Sequence, residues 1–377
     1  MNSRLAAGTG LLLVPALAHG CGGVPASGQA YESTHHAYRV VHVVEGLDHP
    51  WSLAFLPSGD MLVTERDGAL RRVRDGVLEG LPLAGVPSVY ATGQGGLFDV
   101  VLHPQFEDNG WVYLSFSKPG DRATTAVVRG RLSASGLTDV EEIFEADAFT
   151  RRDVHFGGRM VCDREGRLYL TVGDRGEREE AQDPANHQGT TLRLNDDGTT
   201  PADNPFVGRP GYRAEVFTYG NRSPQGLVIH PETGELWQTE HGPRGGDELN
   251  RLRGGANYGW PVITYGINYN GTSITDLREK EGMEQPVYYW VPSIATSGLA
   301  VYWGDQFPEW RGDFFVGGLA GAQLARVRVR DGRAVEVEPL LTELGQRIRD
   351  VRNGPDGFLY VLLDRPDSPL IRLQPVG

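Results

Sequence analysis

The chain has 377 residues, with 36 basic against 49 acidic side chains and a formal net charge of −13. Glycine and proline together make 51 + 24 = 75 residues, yet 39 % of the chain is apolar, which excludes collagen-like and disordered classes. The acidic balance argues against nucleic acid or an anionic membrane as main partner, since both are bound through clustered cations.

Residues 1–20 read as an export signal. Arg4 precedes an apolar stretch from Leu11 to Ala18, far short of the roughly 20 residues needed to span a bilayer. Ala16-Leu17-Ala18 offers an ordinary cleavage site, whereas Ala18-His19-Gly20-Cys21 resembles a lipoprotein box that would place a lipid anchor on Cys21. Both readings stay open, and either makes the mature protein periplasmic or extracellular, without a membrane span. Residues 21–37 are small and polar and suit a flexible tether. Cys21 and Cys162 are too few for a disulfide scaffold or a cysteine-based zinc cluster, and Cys162 reads as a small buried apolar residue.

From residue 38 to 377 one phrase recurs: a short apolar strand, a Pro/Asp/Gly turn and a second strand. It runs WSLAFLPSGDMLVTER from Trp51, FDVVLHPQFEDNGWVYLSFS from Phe98 and GRMVCDREGRLYLTVGD from Gly158. It returns as QGLVIHPETGELWQTEHG from Gln225, GLAVYWGDQFPEWRGDFFVGG from Gly298 and RDVRNGPDGFLYVLLD from Arg349. The turn glycines Gly59, Gly110, Gly166, Gly234, Gly312 and Gly357 are spaced by 51, 56, 68, 78 and 45 residues. Six hairpin units of this length predict an all-β, single-domain, six-bladed propeller, and the two widest intervals predict long loops on one end.

Walker, G-x-S-x-G and H-E-x-x-H motifs are missing, as is a G-x-G-x-x-G after a strand. His49, His103 and His230 precede prolines at hairpin turns and read as structural. His155, in VHFGGRM just before a strand, is the histidine out of place. Asp174, nineteen residues on at the far end of the same hairpin, is positioned to orient it. Arg222, Ser223 and Gln225 approach a strand in YGNRSPQG. EHGPRGGDELN combines Asp247 and Glu248 with a Gly242-Pro243 pair whose carbonyls suit a hard cation. Arg347 and Arg349, two apart on a strand, present two guanidinium forks to one side and suit a carboxylate. Arg326, Arg328 and Arg330 share that spacing and are expected to face solvent; the run from Glu177 to Glu180 reads as a solvated loop.

Together HFGGRM, LTVGDRG, LRLNDDGTTPADNPF, YGNRSPQGL, EHGPRGGDELN, GGANYGWP and RIRDV resemble the glucose/sorbosone dehydrogenase family, closest to its soluble aldose sugar dehydrogenase branch. The likeness runs from Trp51 to Asp364. It implies a quinoprotein oxidoreductase that uses pyrroloquinoline quinone (PQQ) and Ca2+ and oxidises the anomeric carbon of aldose sugars to lactones. By that resemblance His155 is the base that takes the anomeric proton while hydride passes to the quinone. Asp174 orients the histidine, and Arg222 polarises the quinone oxygen. Gln94, Ser223, Gln225 and Asp247 fall at positions lining the quinone or its calcium shell, and Arg347 and Arg349 at those holding its carboxylates. The carbonyls of Gly242 and Pro243 match one calcium site, and Glu248 with the Tyr258 carbonyl a second. The reduced cofactor needs an electron acceptor that no residue identifies.

The chain departs from the family pattern at three places. Ser223 stands where asparagine is usual, Ala320 where glucose-specialised members carry a lysine on the quinone, and Val291 where they carry a covering aromatic. The last change implies broad aldose acceptance. Two other classes stay open on the residues alone: a calcium-dependent propeller lactonase, whose metal would be held by side-chain carboxylates, and a non-catalytic interaction propeller.

Overall fold

The computed structural model describes residues 27–376; the export-signal reading and Cys21 lie outside them. Every one of the six repeated phrases forms the two inner strands of an antiparallel sheet, and the six sheets close into a propeller. The inner strands are Pro50–Phe55, Leu97–Leu102, Met160–Cys162, Pro224–Ile229, Thr296–Val301 and Ile348–Asn353, each packed against the next around the hub. Blades one to five have four strands each. Blade six has five, because Ala37–Leu47 pairs antiparallel with Ser368–Pro375 and so ties the N-terminal arm to the C-terminal strand. Ala30–Glu32 adds the outermost strand, with Tyr31 buried, so the last part of the expected tether is built into the sheet.

The apolar positions of the repeats meet across the gaps between blades, and one apolar cluster fills each of the six seams. Blades one and two share Leu62, Leu70, Val100 and Leu114; blades five and six share Tyr302, Phe315, Ile348 and Val361. Hydroxyls then bond the blades directly. Thr64 donates to the Phe98 carbonyl at 2.6 Å, Ser115 to Gly158 at 2.5 Å, Thr239 to Ser297 at 2.8 Å and Ser297 to Ile348 at 2.7 Å. Buried polar groups paired this way fix the angular register that apolar contact alone leaves soft.

The turn histidines behave as read. His103 Nδ1 accepts from the Gln105 amide at 3.0 Å and the Asn109 side chain at 2.8 Å, capping its turn. The arginine strand does not face solvent throughout. Arg326 is fully buried, 2.6 Å from Asp313 and 2.7 Å from Glu338, with Glu336 alongside, and Arg328 lies 2.9 Å from Asp313. Glu338 and Glu336 are the cross-strand partners of Arg326 and Arg328. The arm residues Thr34 and His35 bond to the same glutamates, a covering segment that strand spacing does not reveal. The run 177–180 likewise leads into a 3₁₀ turn, Arg178–Gln182, rather than a plain loop.

Candidate functional site

One end of the hub carries a cavity of about 360 Å³ whose walls repeat two topological positions. One set comes from the entries to the inner strands: Trp51, Gln94, Phe156 with Gly157, Ala295, and Arg347 with Arg349. The other set directly follows second strands: Arg66, His241, Leu319 and Asp364. Gly157, at φ +75°, lies where a Cβ would meet the Thr171 carbonyl at 2.5 Å, so the chain passes here only as glycine.

His155 sits at the mouth of blade three with φ +51°, a conformation L residues rarely adopt. Its amide donates to Gln94 Oε1 at 2.8 Å, fastening it to the cavity wall. Its Nδ1 lies 2.6 Å from Asp174 Oδ1, which leaves Nε2 without a partner among the described residues. Burial, helped by Arg222 and Arg175 and opposed by Asp174, lowers the imidazole below its ordinary value, so it is neutral near pH 7. Asp174, 1 % exposed, is lowered on balance: burial raises it, but His155 and Arg222 outweigh that. The carboxylate is fully engaged, with the Gly176 amide at 2.8 Å on Oδ1 and the Trp260 indole N–H at 2.8 Å on Oδ2.

Trp260 comes from the long connection of blade four, and its backbone is held in turn by Gln182, whose amide donates to the Trp260 carbonyl at 2.7 Å. The loop carrying His155 has a second brace. Arg175, fully buried, donates to the carbonyls of Ala123, Arg152 and Val154 and lies 3.4 Å over the Phe156 ring. Burial lowers this guanidinium to about 10. Sequence reasoning missed both residues. The GGANYGWP and LTVGDRG motifs contain them, but only the fold brings the indole to the carboxylate.

Arg222 is buried and donates through Nη1 to the His241 carbonyl at 2.7 Å and the Gly242 carbonyl at 2.9 Å. Its own carbonyl receives the Asp174 amide at 2.7 Å, which places it beside the His155 pair. Arg347 and Arg349 line the cavity and share Asp364 Oδ2 at 2.9 and 3.4 Å. Burial raises Asp364, but the two arginines overcome it and hold the carboxyl low. Asp364 is a further site residue that sequence reasoning left unassigned. Gln94 and Gln225 also line the cavity, as expected.

Two of the residues that the resemblance puts at the quinone or its calcium shell do not line the cavity. Asp247 is wholly buried behind the Gly242-Pro243 turn, accepting from the Gly242 amide at 2.9 Å, the Ser293 hydroxyl and the amides of Ile294 and Thr296. It shapes the turn and does not reach the cavity. Ser223, just before the strand Pro224–Ile229, is buried and accepts from the Gln225 side chain at 3.4 Å, so it backs the cavity-lining glutamine without lining the cavity itself.

Glu248 and Tyr258 are also away from the cavity. Glu248 lies opposite Glu240 on the neighbouring strand, and both are buried. Burial foremost, then the charge of an acidic neighbour, raises both, Glu248 to about 7. The amide nitrogens of Asn221 and Asn250 serve these carboxylates at 2.8 and 3.0 Å, and the Oδ1 atoms of both asparagines have no hydrogen-bond partner. Two buried carboxylates beside two unpartnered amide oxygens form a donor set that a hard cation fits. The Gly242 carbonyl, next in the chain to the cavity-lining His241 and already an acceptor for Arg222, has a second lone pair to offer. Among the described residues no group of three or more His, Cys, Asp or Glu forms a metal cluster.

The fold and cavity together define a six-bladed propeller with a polar cavity at its hub, lined by an arginine pair and flanked by a histidine–carboxylate pair held to its wall through Gln94. The glucose / sorbosone dehydrogenase family profile matches residues 47–372. The chain is 47 % identical over 336 residues to the aldose sugar dehydrogenase YliI of Escherichia coli (strain K12), covering 87 % of this chain and 91 % of that one. Its fold is similar, with a TM-score of 0.87, to the soluble aldose sugar dehydrogenase of Escherichia coli in the apo-form, at 45 % identity over 90 % of this chain and 100 % of that one. It is also similar, with a TM-score of 0.75, to the PQQ-bound aldose sugar dehydrogenase of Streptomyces coelicolor, at 27 % identity over 93 % and 99 %. The chain belongs to the glucose/sorbosone dehydrogenase family.

Proposed function

We propose that the chain oxidises aldose sugars at the anomeric carbon to lactones, with pyrroloquinoline quinone and Ca2+ bound at the hub. The observation that carries this reading is that Arg347 and Arg349 line the hub cavity, while the His155–Asp174 pair and Arg222 stand next to its wall, His155 bonded to Gln94 and Arg222 to His241. Asp364, the one carboxylate lining the cavity, is committed to Arg347 and Arg349, which disfavours a lactonase whose metal needs free side-chain carboxylates there.

His155 receives the proton of the anomeric hydroxyl on Nε2, because Nδ1 is held by Asp174. As the imidazole gains charge, Asp174 stabilises it, and the bonds from Gly176 and Trp260 keep the carboxylate ionised and aimed. Arg347 and Arg349 hold cofactor carboxylates, and Arg222 places positive charge beside the base, where charge develops on the reacting oxygen. The bound quinone supplies the electrophilic carbon that accepts the hydride, so proton and electron pair leave the sugar separately. The Gly242 and Pro243 carbonyls would hold one calcium, with Asp247 keeping their turn in shape, and Glu248 with the Tyr258 carbonyl would contribute to the second. The lactone would then leave the site, and the electron pair taken from the sugar would need an external acceptor.

Val291, 62 % exposed, stands where the resemblance puts a covering aromatic in glucose-specialised members, and the smaller side chain suits a range of aldoses. The test is reconstitution: apoprotein with quinone, calcium and an aldose reduces a redox dye, while lactone hydrolysis without quinone, or no reaction in either assay, overturns the reading.

A further inference from the structure

Arg66 has no assigned role, yet it lines the same cavity as Ala320, Arg347, Arg349 and Asp364. It directly follows the second strand of blade one, the position that Asp364 holds in blade six. Its backbone is fixed from both sides: its amide donates to the His49 carbonyl at 3.1 Å, and its carbonyl accepts from Leu97 at 2.9 Å. The side-chain stem runs over Gly96, where a Cβ would meet Arg66 Cγ at 2.7 Å. Among the described residues the guanidinium has no hydrogen bond and no carboxylate partner, whereas Arg347 and Arg349 share Asp364. Its field reaches Arg349 and Asp364. The wall therefore carries three guanidinium groups against one carboxylate, with the unpaired one set on a rigid stem.

Ala320 stands where glucose-specialised members carry a lysine on the quinone, so this chain has no charge from that position. A cavity meant for a tricarboxylate would then be left with two paired arginines. We propose that Arg66 is the third cationic contact for the anionic cofactor, replacing the side chain lost at Ala320; this rests on the quinone reading above. Arginine suits the task because its planar fork can hold a carboxylate bidentately and stays charged.

The test is equilibrium binding of pyrroloquinoline quinone to calcium-loaded apoprotein, followed by quinone absorbance or by quenching of tryptophan fluorescence. Arg66→Gln weakens binding about tenfold or more, Arg66→Lys keeps most of the affinity, and Ala320→Lys added to Arg66→Gln restores it. The same variant binds the uncharged triester of the quinone as well as the parent protein does, which separates lost charge from a damaged fold. If the parent protein binds no quinone, the functional reading fails. If the parent binds and Arg66→Gln binds equally well, this inference alone is overturned.

Discussion

The Nδ1 atom of His155 and the Oδ1 atom of Asp174 are 2.6 Å apart, joining the entry of blade three to the end of its second strand. That bond decides which ring nitrogen is free, and it opposes the burial that lowers the imidazole. The neutral, proton-accepting form of His155 therefore persists at lower pH than for an exposed histidine. The acid limb of kcat/KM is expected below the ordinary imidazole value of about 6.5. Asp174→Asn removes the influence that raises His155, so the limb moves lower still while kcat falls about 100-fold or more. His155→Ala abolishes turnover and leaves quinone affinity within a few-fold. Rate profiles for the three proteins check this; an acid limb unchanged by Asp174→Asn would contradict it.

Trp260 extends the pair to a third group from another blade. Its indole N–H satisfies the second oxygen of Asp174 at 2.8 Å, in a place with no room for water to substitute freely. Trp260→Phe keeps an aromatic ring, though a smaller one, and removes the donor. A hydrogen bond to a buried charge contributes about 1.5–3 kcal/mol, so a fall in kcat of ten- to a hundredfold is expected, with KM for sugar nearly unchanged. Steady-state kinetics on the reconstituted enzyme checks it, and a rise in KM with kcat intact would assign the indole to substrate binding instead.

Arg175 predicts a change that needs no catalysis. Its guanidinium donates to two carbonyls of the segment leading into His155, those of Arg152 and Val154, and to that of Ala123 across the gap, and Arg151 and Arg152 in that segment are exposed. Arg175→Met leaves those carbonyls unpaired and frees the segment. Trypsin cleavage after Arg151 or Arg152 should accelerate about tenfold in the variant, with mass spectrometry locating the cut, and Arg175→Lys should be intermediate.

The inner half of each blade is legible in the chain because alternation and turn chemistry are local: the six phrases coincide with the six inner hairpins. His155, Asp174, Arg347 and Arg349 are legible for the same reason, lying at the ends of those hairpins. What remains hidden is set by closure of the ring. The bond from Trp260 to Asp174 spans 86 positions, and the arm that covers Arg326 through Thr34 crosses 304 to reach Glu338. The resemblance puts Asp247 and Ser223 at the quinone or its calcium shell; in the fold Asp247 is held behind the Gly242-Pro243 turn by Gly242, Ser293, Ile294 and Thr296, and Ser223 backs Gln225. No pattern of residue types encodes such contacts, since they depend on which blade ends up beside which.

The Glu240–Glu248 pair makes stability depend on pH and on calcium in a linked way. Both carboxyls are raised, so the folded metal-free protein binds more protons than the unfolded chain above the ordinary glutamate value. The stabilisation is complete below about pH 4.5 and is lost as pH rises through the folded value, about 7 for Glu248. From that group alone the loss is on the order of 3 kcal/mol, at about 1.36 kcal/mol per pH unit. His155 and His241, both lowered, act in the opposite sense below pH 6.5, because the unfolded chain protonates them first. The carboxylate signature is thus read above pH 6.5, where the histidines no longer contribute. Chelator-treated protein should lose thermal stability from pH 6.5 to 8, and calcium should restore it with the release of protons and a gain that grows with pH. Glu248→Gln should flatten the metal-free slope and remove most of the calcium gain. Melting curves across that range, with and without calcium, decide the matter: a calcium gain independent of pH, or one that survives Glu248→Gln, would show that the ion binds elsewhere.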